Sequence, residues 1–184
     1  GAAAAAGIMA SAAANAGIPA AKVEKYDEEY DVVIIGSGFA GMACALKAGR
    51  AGKKVLMLEK MPVVGGNSAI CGGNVACPVN PVQKAQGIKD SRELFIADCL
   101  KDGLGLNHVE LLSKIVDRCN DTIKFVEDCG AEFVPNHMLF EGGHSVPRSY
   151  EIKAGTGSGY IHPMYDQIKK LSNVTVKTRA TFDD

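Results

Sequence analysis

Apolar positions along the chain change period several times. Residues 31–35, DVVII, form a short unbroken apolar run, the pattern of a strand buried on both faces. Residues 39–51 then place Ala40, Ala43, Cys44, Ala45, Ala48 and Ala51 where small side chains let a helix pack close to a sheet, and Gly52 ends it. Residues 54–58, KVLML, predict a second strand. A strand, a helix and a strand with so short a crossover make a parallel, right-handed unit.

Beyond it the pattern loosens. Residues 61–89 are rich in Gly and Pro and read as a long functional loop. Asp90 with Glu93 predicts a capping box before the helix LFIADCLKD, and Asn107 with Glu110 another before LLSKIVDRCNDTIKFVEDC. In the second helix Leu111, Leu112, Ile115, Val116, Cys119, Ile123 and Val126 form a core-facing stripe, and Gly130 caps its end. Residues 131–160 are loop-rich and include AGTGSG at 154–159. A helix follows in YIHPMYDQIKKL, with Pro163 limiting its start. VTVKTRATF closes the chain as a β-rich run. No internal repeat is visible.

Three glycines follow the first strand. Gly36, Gly38 and Gly41 match G-x-G-x-x-G. The first permits a tight turn, the second lets backbone approach a pyrophosphate, and the third lets helix and strand pack closely. The helix N-terminus adds free N–H groups and partial positive charge. Glu59 ends the second strand 23 residues after Gly36, where a carboxylate can accept from ribose hydroxyls and disfavours a 2′-phosphate. NAD and FAD share this ADP half. Gly65-Gly66-Asn67-Ser68 and Cys71-Gly72-Gly73-Asn74 add a second wrap that plain NAD dehydrogenases usually lack.

Composition narrows the function classes. At 184 residues, 47% hydrophobic and 22% charged, the chain can form one domain with a core. A net charge of −1 supplies no basic footprint for nucleic acid and no polybasic membrane patch. No run of eighteen strongly apolar residues follows residue 30, so no membrane span is expected there. Residues 1–21 hold twelve alanines and no charge before Lys22. They read as an alanine-rich helix or linker, or as the remnant of an export signal with Ala14-Asn15-Ala16 as its cleavage site. The weak hydrophobicity suits a twin-arginine route to the periplasm, although no Arg-Arg is present. Residues 1–25 are therefore set apart from the fold, which occupies 26–184.

Cys44, Cys71, Cys77, Cys99, Cys119 and Cys129 fit no zinc, C-x-x-C or haem spacing, and free thiols are expected. Cys44, Cys99 and Cys119 fall in helical stretches as buried thiols. No metal site, Ser-His-Asp set or paired-carboxylate motif stands out. Of four histidines, His108, His137 and His162 read as solvated or loop residues. His144 with Arg148 in EGGHSVPR has either a substrate-side role or a loop-structuring one.

The segment VVIIGSGFAGMACALKAGRAGKKVLMLEKMPVVGGNSAICGGNVA resembles the FAD domain of the fumarate reductase/succinate dehydrogenase flavoprotein superfamily, in particular its flavocytochrome c branch of soluble fumarate, urocanate and methacrylate reductases. The likeness runs over about residues 31–182. It implies an α/β, Rossmann-like FAD-binding domain, a parallel sheet with flanking helices, of which this is the N-terminal part. The clamp domain and the C-terminal part would be absent. The resemblance implies that Gly36, Ser37, Gly38, Phe39, Ala40 and Gly41 hold the FAD pyrophosphate and Glu59 the adenosine ribose. Lys60 would lie beside the adenine. Gly66, Asn67 and Ser68 would reach the pyrophosphate and ribityl chain, Gly72 and Gly73 the isoalloxazine, and Ala180 the adenine through its backbone. Gly155, Gly157 and Gly159 match a turn under the flavin, or form a flexible loop.

Departures matter. The loop from Asn67 to the Gly72-Gly73 pair looks one residue shorter than in many fumarate reductases. Asn67 and Ser68 stand where membrane-bound members tether FAD through histidine, so the FAD is expected to be non-covalent. Arg148-Ser149 leads into Tyr150-Glu151-Ile152 rather than His-Arg-Pro, which leaves an unsaturated acid other than fumarate open. The implied activity is hydride transfer from flavin N5 to the C=C bond of a small unsaturated carboxylic acid. Electrons would come from a cytochrome c on another subunit or segment, and catalytic residues would lie beyond residue 184. The alternatives are a 3-oxosteroid dehydrogenase-type flavoprotein, or a nucleotide-binding or electron-transfer subunit without catalysis of its own.

Overall fold

The computed structural model describes residues 26–183. The expected export segment lies outside these residues.

The sheet is built by the first unit and the last strand. Strand β1 is Val32–Ile35, helix α1 Phe39–Arg50, strand β2 Val55–Glu59 and strand β5 Val174–Thr178. The order is β1-β2-β5, and both pairings are parallel. Val32 pairs with Val55, and Glu59 at the far end pairs with Thr178. The C-terminal ends of β1 and β2 therefore lie side by side, where open parallel sheets bind ligands.

Between them run α2 (Gly66–Ile70), β3 (Val75–Ala76), α3 (Pro81–Ala85), α4 (Arg92–Asp102), α5 (Val109–Cys129), β4 (Ser149–Tyr150) and α6 (Ser158–Ile168). Strands β3 and β4 form a small antiparallel ribbon. The main core joins Met42, Ala45 and Leu46 of α1 to Val55 and Met57 of β2 and to Ile161, Met164 and Ile168 of α6. A second core gathers Cys77, Phe95, Val116, Cys119, Ile123 and Tyr150.

Several expectations are corrected. The loop 61–89 contains two short helices and half of the ribbon. Asp90 does not cap α4: Ser91 does, accepting the Leu94 N–H at 3.0 Å. The Asp90 carboxylate is turned to Arg148 instead. Asn107 does not cap α5 either, because the N-cap is His108, without a side-chain bond. Helix α6 starts before Pro163 and carries it inside. Gly130 does end α5, at φ +106°. The apolar run of β1 is covered on one face only: Val33 and Ile35 are 53% and 54% exposed, because no described element packs over them. The α5 stripe is wider than its neighbours cover, so Leu111 and Ile115 stay exposed. All six cysteines are unpaired; Cys119 is buried, Cys99 half-buried and Cys44 exposed. Among the described residues no helix is long and apolar enough to cross a membrane.

Candidate functional site

The turn from β1 into α1 has the geometry its glycines require. Gly36 adopts φ +91°, and the space a side chain there would enter is open. Its N–H donates to the Leu58 carbonyl at 2.8 Å, which joins the turn to the end of β2. At Gly41 a Cβ would be driven into the Gly36 carbonyl, so helix and turn meet backbone to backbone.

The N-terminus of α1 is short of acceptors. Its N-cap, Gly38, has no side chain to accept a hydrogen bond, and the first turn contains no acid. The first ladder bond runs from the Met42 N–H to the Gly38 carbonyl. The N–H groups of Ala40 and Gly41 precede it and have no acceptor within the helix. The Phe39 N–H reaches the Ser68 hydroxyl at 3.1 Å. Free donors, the positive end of the helix dipole and the open space beside Gly36 thus lie at the same end of α1.

Glu59 is 5% exposed. One oxygen accepts from the Ser37 N–H at 3.1 Å and the Ser37 hydroxyl at 2.5 Å. The other accepts from the Met61 N–H at 2.8 Å. Burial pushes its pKa up, but the hydrogen bonds from Ser37 and Met61 outweigh this and lower it, so the carboxylate is ionised at neutral pH. Three of its roughly four lone-pair positions are taken, which leaves capacity for about one further donor. Ser37 is fully buried, and its hydroxyl also accepts the Gly65 N–H at 2.9 Å. The second glycine loop is thereby attached to the phosphate turn.

The other predicted residues gather around this center to different degrees. Gly66, Asn67 and Ser68 form the start of α2, with Gly66 and Asn67 exposed. Gly72 is exposed and Gly73 buried. Lys60 is exposed beside Glu59, and the Ala180 N–H donates to the Glu59 carbonyl at 3.0 Å. His144 and Arg148 fall elsewhere. Arg148 is completely buried and pairs with Asp90 at 2.9 Å and Asp98 at 2.6 Å. His144 packs edge-on against Phe95. Arg148 structures its loop through these two ion pairs, the blander of the two sequence-based roles.

Two features escaped the sequence: the double role of the Ser37 hydroxyl, and Tyr160, whose hydroxyl donates to the Gly73 carbonyl at 2.6 Å. A hydroxyl between the two leading glycines is a signal for the first. Nothing local marks the second, whose partner is 87 positions away.

An open parallel sheet with a glycine turn, an uncapped helix and a buried carboxylate at the next strand's end is a dinucleotide-binding domain. Residues 31–184 match the family described as FAD binding domain, and the chain belongs to that family, whose cofactor is FAD. It is 41% identical over 181 residues to the acrylate reductase flavoprotein subunit of Shewanella woodyi, covering 98% of this chain and 35% of that protein. It is 33% identical over 153 residues to a fumarate reductase (cytochrome) of Shewanella frigidimarina, covering 82% of this chain and 26% of that one. The chain thus spans about a third or less of these relatives. Among solved structures, the open conformation of a flavocytochrome c3 fumarate reductase superposes with TM-score 0.76 at 28% identity, over 83% of this chain and 27% of that one. A 3-ketosteroid-Δ4-(5α)-dehydrogenase from Rhodococcus jostii RHA1 gives TM-score 0.74 at 25% identity, over 87% and 40%.

The residues present fit FAD. The unfilled α1 donors and the open volume at Gly36 suit a pyrophosphate, and the ionised Glu59 suits a ribose hydroxyl.

Proposed function

We propose that this chain is the N-terminal part of the FAD domain of a reductase acting on a small α,β-unsaturated carboxylate. The observation that carries this reading is the 41% identity to an acrylate reductase flavoprotein subunit over nearly the whole chain. The loss of the His-Arg-Pro run after Arg148-Ser149 is consistent with an acid other than fumarate.

When bound, the flavin supplies a hydride equivalent to the substrate C=C bond. The chain's own residues anchor and orient it. The turn Gly36–Gly41 holds the pyrophosphate, and Glu59 takes one ribose hydroxyl. Lys60 and the Ala180 backbone flank the adenine. Asn67 and Ser68 serve the pyrophosphate and ribityl chain, and Gly72 and Gly73 the ring system. Ser37 acts through Glu59 and Gly65. The proton donor and the carboxylate clamp belong to the part of the relatives' length that this chain does not span. A cytochrome c electron donor and a periplasmic location complete the reading, supported by the name of the fumarate reductase relative and by the alanine-rich residues 1–21.

The test is an anaerobic assay of the full-length protein with reduced methyl viologen against acrylate, fumarate, methacrylate, urocanate and cinnamate. Viologen oxidation with at least one acid supports the reading; none with any acid contradicts it. A second reading, a 3-oxosteroid dehydrogenase-type flavoprotein, is favoured by the ketosteroid dehydrogenase superposition. Dye-coupled oxidation of 4-androstene-3,17-dione, with no activity on the acids, would select it.

A further inference from the structure

The glycine-rich run at 154–159 belongs to neither the phosphate turn nor the sheet. It leads into α6, whose first turn lies against the second glycine loop. Two donors from this region meet loop carbonyls. The Gly157 N–H reaches Cys71 at 2.8 Å, and the Tyr160 hydroxyl reaches Gly73 at 2.6 Å. The approach requires glycine at 157, because a Cβ there would be driven into the Ser68 carbonyl.

Tyr160 is 6% exposed, and its ring meets Phe39 edge-on with centroids 5.5 Å apart. Phe39 is the first residue of α1. Both rings, with Cys71 and Gly73, help line an apolar cavity of about 280 Å³ beside the loop. One side chain therefore spans two parts of the cradle: its ring rests on the first turn of the phosphate-binding helix, and its hydroxyl holds the Gly72–Gly73 backbone. Burial pushes the Tyr160 pKa up, so the hydroxyl stays protonated and donating.

We propose that Tyr160 is a positioning residue for the flavin, fixing the Gly72–Gly73 backbone relative to the first turn of α1 and hence the ring system relative to the anchored pyrophosphate. The inference rests on the placement of the ring system at Gly72 and Gly73. It makes the run at 154–159 a packed support rather than a flexible loop.

The experiment uses full-length protein carrying Tyr160→Phe, with FAD affinity, the visible circular dichroism of bound flavin and its reduction potential as readouts. Loss of the hydroxyl is expected to weaken FAD about tenfold and to change both the dichroism and the potential. Phe133→Leu is the control. Phe133 packs on the Tyr160 ring at 5.9 Å between centroids, and its hydrocarbon side chain has no group that could hydrogen-bond the glycine loop. It is expected to lower the melting temperature and leave the flavin signals unchanged. Wild-type affinity, dichroism and potential in Tyr160→Phe overturn the proposal. So do equal flavin changes in Phe133→Leu, which would make the effect one of packing. If Tyr160→Phe does not fold, 3-fluorotyrosine at position 160 keeps the ring in place and alters only the hydroxyl that donates to Gly73, and an unchanged flavin dichroism and potential there overturns the proposal. Wild-type protein that binds no FAD overturns this inference and the FAD assignment together; wild-type binding with an unaltered variant overturns this inference alone.

Discussion

The Ser37 hydroxyl lies 2.5 Å from a carboxylate oxygen of Glu59 and at the same time accepts the Gly65 N–H at 2.9 Å. One buried oxygen thus connects the phosphate turn, the ribose carboxylate and the second glycine loop. Ser37→Ala leaves the Gly65 N–H without its acceptor and is expected to cost about 1–3 kcal/mol. FAD affinity falls with it, because Glu59 and Gly65 lose their common anchor. Urea unfolding and an FAD titration of the variant check both effects.

Gly36 and Gly41 are predicted to fail in different ways. Alanine at 41 collides with the Gly36 carbonyl, so α1 must shift, at a cost of about 1–3 kcal/mol or more. Alanine at 36 collides with nothing but is held at φ +91°, a strain of about 1–3 kcal/mol. Its methyl group also enters the space assigned to the phosphates. Thermal melting therefore shows Gly41→Ala as a folding defect, whereas Gly36→Ala retains its fold and loses FAD affinity.

Arg148 holds the second core together through Asp90 and Asp98. Arg148→Met leaves two buried carboxylates without their counter-charge and is expected to cost about 3–5 kcal/mol. The pH dependence follows from Asp98. Burial pushes its carboxyl up, but the Ser145 hydrogen bonds and Arg148 prevail and hold it at about 2. A folded pKa below the unfolded value near 3.8 gives stability that is fully present above about pH 4 and lost as the pH falls toward 2. That contribution is about 2 kcal/mol. Urea midpoints between pH 2 and 6 are expected to show the decline in wild-type protein and a shallower one in Arg148→Met.

The absence of histidine at positions 67 and 68 predicts non-covalent FAD. Acid precipitation of the holoprotein is expected to release all the yellow colour into the supernatant. Flavin retained in the pellet contradicts this.

What the sequence disclosed follows from distance along the chain. The β1-turn-α1-β2 unit was legible because its signals are local: an apolar run, spaced glycines, small helix residues and a terminal acid. The caps of α4 and α5 were misassigned because an Asp or Asn before a helix has other possible partners, and Asp90 prefers Arg148, 58 positions away. The buried position of Arg148 was invisible for the same reason. Val33 and Ile35 stay exposed despite their apolar run because no described element packs over that face of β1. The Ser37–Gly65 and Tyr160–Gly73 bonds join residues 28 and 87 positions apart, beyond any periodicity.

The phosphate turn and Glu59 together form the proposed FAD cradle. The direct measurement is fluorescence titration of full-length apoprotein with FAD, in wild type and in Glu59→Ala, with NAD as the comparison ligand. Saturable one-to-one quenching is expected of wild type, severely weakened in the variant, with no comparable affinity for NAD. Equal FAD affinity in both proteins, or preference for NAD, would contradict the proposed cradle.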